Sequence, residues 1–497
     1  MTFQIPIDSL NEVIEYLEED RHTLYSCLLV NRLWCEISVR ILWRNIWDFE
    51  RQSQLFGMES ILDTLFTFLP NESKEFLHEN KIFISIPISK QSLFNYPSFC
   101  KALSIYGISK IVEIVLTCKP TINSSILKNR NLIINEFTKM FANQIFSLKK
   151  LSYYHHCSPI DFSFPYFPGV RDLLELHCCS CLPSDIFYQL SQLCHNLQSM
   201  SISFCNDITS NEFKELVSFQ NNLKNLKLSF DMTVSSCADI IPTLKKHSDT
   251  ITKLHLYIFT KNLSSCSFIN SFVNLQEFIF SSFRRCFFDD FEPFQYINFS
   301  KLQTLKIPHF CPNSEDIIKF LKNNGKNLKK LYVNKSCGDL SLFIPHICPN
   351  LKSLFLLFHK NELDILKTIL INCQSLESIK VKCGKNLFEE YLSEKEVLEI
   401  VANHSPNNFC ELKIYIVSDS DISLDDLDSF FFSWKNRVPK KLLSLIIIKN
   451  KNLYRSLDHY KENREIIKKY QNLGIIKFKT IDRDEATREE EESYNYY

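Results

Sequence analysis

The side chains best suited to chemistry in this 497-residue chain are two short runs of histidine and cysteine, His155-His156-Cys157 and Cys178-Cys179-Cys181. Together they could offer nitrogen and sulfur ligands to zinc, yet they lack the paired short spacings of structural zinc sites, so no metal is expected. His78-Glu79 is followed by Asn80-Lys81 and does not begin a zinc-protease helix. No serine-nucleophile, kinase or catalytic-cysteine motif is present, and the 13 histidines show no grouping with a nucleophile and an acid. Seven glycines are so dispersed that no two lie closer than Gly325 and Gly338. Loops that cradle phosphate on clustered backbone N–H groups therefore cannot be written. No cofactor is expected, and recognition is a better expectation than catalysis.

Charge and composition narrow the partners. The 57 basic residues are balanced by 57 acidic ones, which removes the electrostatic footprint of a general nucleic-acid binder. No apolar run approaches the roughly 20 residues that cross a bilayer, and Asp8, Glu12 and Glu15 stand where a secretory signal would be basic and then apolar. Nineteen cysteines, an odd number without a repeated CxxC, suit reduced thiols in the cytoplasm or nucleus of a protein that is not secreted. The length exceeds what one compact core normally organises, so a small module joined to an extended array is expected.

The elements that must position any binding residues are visible as a repeat. From about Leu148 onward an apolar residue, two variable ones, an apolar residue, one variable and another apolar residue recur. Clear units are Leu197/Met200/Ile202, Leu223/Leu226/Leu228, Ile251/Leu254/Leu256, Leu275/Phe278/Phe280, Leu302/Leu305/Ile307, Leu328/Leu331/Val333, Leu351/Leu354/Leu356, Leu376/Ile379/Val381, Phe409/Leu412/Ile414, Leu442/Leu445/Ile447 and Leu473/Ile476/Phe478. Weaker units precede them near Leu148/Leu151/Tyr153 and Leu173 to Cys178. The L-x-L alternation is strand periodicity, whereas stretches such as Asp316 to Leu321 and Leu363 to Leu370 have helical spacing. Each repeat then supplies one strand and one helix, stacking into a parallel α/β solenoid with strands on the concave side.

On such strands the variable residues point away from the core. Of the 33 positions flanking the strand leucines, nine are lysine: Lys227, Lys253, Lys306, Lys330, Lys380, Lys382, Lys413, Lys477 and Lys479. Only Glu277 and Glu411 are acidic, and Tyr257, Tyr332, Phe355 and Tyr415 are aromatic. The excess predicts a basic concave surface that takes an acidic or phosphorylated protein, with the rings as anchors. Lysine that merely keeps exposed strand positions soluble explains the columns equally well.

Upstream, Leu10, Val13, Ile14 and Leu17 mark one helix face, Leu24, Cys27, Leu28 and Val30 a second short apolar pattern, and Trp34, Ile37 and Ile41 a third that runs into Trp43. Ile5-Pro6, Leu10, Val13-Ile14, Leu17, Leu24, Leu28, Val30-Asn31-Arg32, Trp34 and Trp43 resemble an F-box; Ile5 stands where Leu is commoner, and Ile7-Asp8 where an acidic residue and Glu usually follow the proline. The array resembles leucine-rich repeats of the Cys-rich class, with Cys194, Cys348 and Cys373 each three residues before a first leucine. The resemblance implies docking on a Skp-type adaptor, and through it a cullin, by way of Pro6, Leu10, Val13, Ile14, Leu17, Leu24, Leu28, Val30 and Trp34. It implies a non-catalytic substrate receptor of an SCF-type ubiquitin ligase. A leucine-rich-repeat scaffold without any ligase fits the same residues and remains the alternative. The expected division is an F-box over residues 1–47, a helical and irregular linker with room for degenerate repeats over 48–145, the solenoid over 146–481 and an acidic disordered tail over 482–497.

Overall fold

Each repeat forms a short parallel strand because its alternating apolar side chains can be hidden together only on one side of a sheet. The computed structural model describes residues 6–47, 55–80, 82, 92–118, 130–154, 164–205, 209–231, 238–259, 266–282, 288–309, 312–334, 338–450, 455–483 and 486. Ile5 and the His155-His156-Cys157 run lie outside them. The chain forms two compact units, one of residues 1–233 and 239–246, the other of 234–238 and 247–497.

The first unit begins with helices α1 (Ile7–Glu15), α2 (Arg21–Cys27) and α3 (Arg32–Leu42). Asp20 and Asn31 start α2 and α3 by accepting the backbone N–H of Thr23 and Trp34, satisfying donors that a helix start otherwise leaves open. Helix α4 (Leu55–Phe68) stops before Pro70, from which α5 (Asn71–Glu79) starts. Strands β1 (Ala102–Ser104), β2 (Lys150–Tyr153), β3 (Glu175–Cys179), β4 (Ser199–Phe204) and β5 (Asn225–Phe230) follow, each parallel to the next. Thus β1 lies within the stretch expected to be linker, and β2 and β3 coincide with the weaker repeat units.

The second unit carries β6 (Lys253–Ile258), β7 (Glu277–Ser282), β8 (Thr304–Ile307), β9 (Lys330–Val333), β10 (Ser353–Phe355), β11 (Ser378–Cys383), β12 (Glu411–Ile416), β13 (Leu443–Lys449) and β14 (Ile476–Asp482), again parallel and in chain order. Leucine columns run straight through the registers: Leu354 pairs with Ile379, Ile379 with Leu412, and Leu412 with Leu445. All four are buried. Each such side chain contributes about 1.5–3 kcal/mol by leaving water. Each unit by itself has the α/β architecture of a leucine-rich-repeat solenoid.

Buried amides lock neighbouring repeats. Asn324 accepts the Phe299 N–H at 2.6 Å and donates to the carbonyls of Ile297 and Phe320; Gln220 does the same for Leu197, Cys194 and Leu216. Three details depart from the expected repeat. The connections before β7 and β8 hold tighter 3-10 turns, Cys266–Ser271 and Phe288–Phe294; in the second, Pro293 has no N–H to continue an α-helix. The last unit is shifted by two: Leu473 caps a helix and is exposed, Gly474 turns the chain at positive φ, and Leu445 pairs with Phe478 where Ile476 was expected. Leu442 is likewise exposed, and Leu443 fills the core beside Leu445 and Ile447. The supposed tail begins inside β14 at Asp482, and Arg483 and Ala486 lie against the sheet.

Candidate functional site

Two surfaces concentrate the residues singled out from the sequence. In the N-terminal helices, Leu10, Ile14, Leu24, Ile37 and Ile41 make a small core, with Leu17, Leu33, Trp34 and Leu42 packed on its edge. Of the expected adaptor residues, Leu10, Ile14 and Leu24 therefore build the module, and Leu17, Leu28 and Trp34 are half-buried. Pro6 is exposed, as are Val13 and Val30 at 56% each. Pro6 precedes the first turn of α1 as its N-cap, and Val13 follows seven residues later, about two turns on. Ile7, Tyr16, Tyr25 and Leu29 add exposed apolar surface that sequence periodicity assigned no role. These helices are tied to the sheet: the Arg44 carbonyl accepts the N–H groups of Lys101 and Ala102 at 2.8 and 2.9 Å, and its guanidinium pairs with Glu15 and Glu18. Trp43 stacks on Tyr96 with ring centres 4.7 Å apart.

The second surface is a pocket of about 370 Å³ in the second unit, on the sheet face turned away from the leucine columns. Five of the expected residues meet there: Tyr332, Phe355, Lys380, Lys382 and Tyr415, joined by His309, Asn386 and Arg483. Parallel pairing brings them together, because Tyr332, Phe355, Lys380 and Lys413 occupy the same place on successive strands β9 to β12. The rings of Tyr332 and Phe355 lie 4.3 Å apart at their centres. Lys380 Nζ sits 4.8 Å from the centre of Phe355, 5.5 Å from Tyr332 and 5.9 Å from Tyr415. Lys382 Nζ lies 4.3 Å from the Tyr391 ring centre and donates to its hydroxyl oxygen at 2.8 Å. Tyr391 in turn donates to the Glu389 carboxylate.

Aromatic faces hold ammonium groups at an electrostatic gain that grows as water is excluded. Burial pushes the Lys382 ammonium below its ordinary pKa and the His309 imidazole down to about 4. Burial, then the hydrogen bond and charge of Glu389, push the Tyr391 hydroxyl up. Chemically, the arrangement is a half-dry, cation-lined recess suited to a carboxylate or phosphate, with His309 neutral around pH 7.

The remaining lysines of the columns lie outside the pocket lining. Lys253 and Lys306 pair with Glu277 at 3.4 and 3.0 Å, and Lys306 is buried. Lys413 pairs with Glu411, Lys330 is half-buried, and Tyr257 is buried against His255. Lys477 and Lys479 are exposed; with the shifted register they pair with Ser444 and Ile446. Lys227 belongs to the first unit, where Glu175 joins Lys150 at 3.0 Å to His177 at 2.5 Å. Burial opposes that carboxylate's charge, but His177 and Lys150 draw its pKa down to about 2. Arg483, Tyr391 and His309 were missed in the sequence because each lies outside the L-x-x-L-x-L frame.

No protein-family model matches the chain, and no curated protein matches it. Among solved structures it is similar to a chain of the crystal structure of the Rad7 and Elc1 complex in yeast, at 18% identity, over 57% of this chain and 79% of that one, with a TM-score of 0.35. A likeness of that size says nothing of function. Among the described residues, no helix is long and apolar enough to cross a membrane.

Proposed function

We propose that this chain is the substrate-recognition subunit of an SCF-type ubiquitin ligase in the cytoplasm or nucleus, with its N-terminal helices on a Skp-type adaptor and its repeats on a target protein. The observation that carries the reading is the apolar surface left on the helical module: Val13, Leu29 and Val30 remain exposed although Leu10, Ile14 and Leu24 already complete its core. Exposed apolar side chains gathered on one small module favour a partner surface. In this reading the chain is no enzyme, since the adaptor's cullin assembly brings the conjugating chemistry and the receptor supplies proximity. The pocket around Lys380, Lys382 and Arg483 takes an acidic or phosphorylated segment of the target.

The test is co-purification of the full chain with a Skp-type adaptor, beside a Val13→Asp/Val30→Asp variant. Stoichiometric binding lost in the folded variant supports the receptor. A folded wild type that binds no adaptor leaves a repeat scaffold that works without a ligase. For the pocket, Lys380→Glu/Lys382→Glu should abolish binding of acidic and phosphorylated test peptides that the wild type retains; undiminished binding would remove the pocket from the proposal.

A further inference from the structure

Cysteines from two successive repeats of the first unit converge on one point. Cys179 ends β3, Cys181 lies two residues on in the turn that follows, and Cys205 follows β4. The Cys179 sulfur is 2.8 Å from that of Cys181 and 2.8 Å from that of Cys205, and all three sulfurs lie within 4.8 Å of one another. Among the described residues, this is the one group of three or more metal-ligating side chains gathered so closely. Cys178, adjacent in sequence, is instead buried in the repeat core.

The loops that carry the three are held in place. The Ser180 N–H donates to the Ser203 carbonyl at 2.9 Å, and the Cys205 N–H donates to the Ser180 hydroxyl at 3.4 Å. Sulfur contacts of this length are closer than the about 3.5–4.0 Å at which carbon atoms pack, so three protonated thiols have no packing reason to share the space. Zinc–sulfur bonds of about 2.3 Å at tetrahedral angles put ligand sulfurs about 3.8 Å apart, so metal binding requires each 2.8 Å contact to open by about 1 Å. Cys181 is exposed and Cys205 half-buried, which gives an ion a way in.

We propose that Cys179, Cys181 and Cys205 form a three-thiolate site for one thiophilic divalent cation of the zinc type. Three sulfurs leave one tetrahedral position for water or a ligand from outside the group. The sequence offered Cys179 and Cys181 as possible zinc ligands without the spacing of a site, and Cys205 was missed because it comes from the next repeat, 24 residues after Cys181.

The test uses the full chain, purified reduced and metal-free, titrated with Co2+ as a spectroscopic probe and then with Zn2+. One cobalt per chain with thiolate-to-metal charge-transfer absorption, displaced by zinc, is the expected result. Binding should weaken at least tenfold in Cys181→Ser and in Cys205→Ser and be unchanged in Cys348→Ser, which alters a buried repeat cysteine. Because Cys181 is exposed, its serine variant should melt like the metal-free wild type, and zinc should raise the melting temperature of the wild type alone. Absence of charge-transfer absorption, or binding as tight as wild type in the Cys181→Ser and Cys205→Ser variants, would overturn the site. So would a freshly purified chain whose mass shows two of the three thiols already joined as a disulfide.

Discussion

Trp47 donates its indole N–H to the carbonyl oxygen of Ala102 at 2.7 Å, across 55 residues of sequence, and so fastens the end of the N-terminal helices to the first strand of the sheet. The ring also meets Phe141 edge-on, with centres 5.7 Å apart. Trp47→Phe keeps an aromatic ring but leaves that buried carbonyl without its donor, and should lower stability by about 1–3 kcal/mol. Urea unfolding of the two proteins measures it; coincident curves would show that the bond contributes nothing.

The N-terminal module separates core from surface sharply. Ile14→Ala opens a cavity at a fully buried position and should cost about 2–5 kcal/mol. Val13→Asp and Val30→Asp, at exposed positions, should stay within about 0.5 kcal/mol of wild type. Thermal melts of the single variants decide this, and a Val13→Asp protein that melts as early as Ile14→Ala would mean that Val13 belongs to the core.

Glu394 gives the second unit a pH dependence. Burial raises its carboxyl from 4.5 to about 7, so between those values the folded chain holds a proton that the unfolded chain releases. Stability must then fall as pH rises toward and through 7, by up to about 3 kcal/mol, and this group contributes no change below 4.5. Glu394→Gln should lose that slope and be the more stable protein at pH 8. Parallel pH profiles for the two, from urea midpoints, would refute the assignment.

Gly384 shapes the loop that holds Tyr391 against Lys382 of the basic pocket. It sits at φ 97°, donates its N–H to the Leu392 carbonyl at 3.1 Å and accepts that of Tyr391 at 2.9 Å, which carries Tyr391 back over Lys382. An added Cβ would press on the Ser418 hydroxyl as well as strain the backbone. Gly384→Ala should therefore destabilise by about 1–3 kcal/mol and weaken binding of acidic peptides as Tyr391 loses its hold on Lys382. Calorimetric titration with such a peptide checks it; unchanged affinity would show that the loop takes no part in recognition.

The repeat was legible because its physics is local. An L-x-x-L-x-L run such as Leu376/Ile379/Val381 has one face to bury, and only a strand stacked on a like strand buries it. The three N-terminal helices were legible for the same reason, through Leu10, Ile14, Leu24 and Ile41. What the sequence left open was which members of a periodic column stay on the surface. Val13 and Ile14 are equally apolar neighbours, yet one is exposed and the other fully buried, because only the packing of three helices decides which face is inside. The lysine columns divide likewise: Lys306 is taken up by Glu277 from the adjacent strand, whereas Lys380 and Lys382 meet Tyr332, Phe355 and Tyr391 across three strands and a loop. Cys205 meets Cys179, whose other neighbour Cys181 is two residues away, only because successive repeats stack. Periodicity fixes the direction of a side chain relative to its own strand, and the stacking of repeats fixes its neighbours.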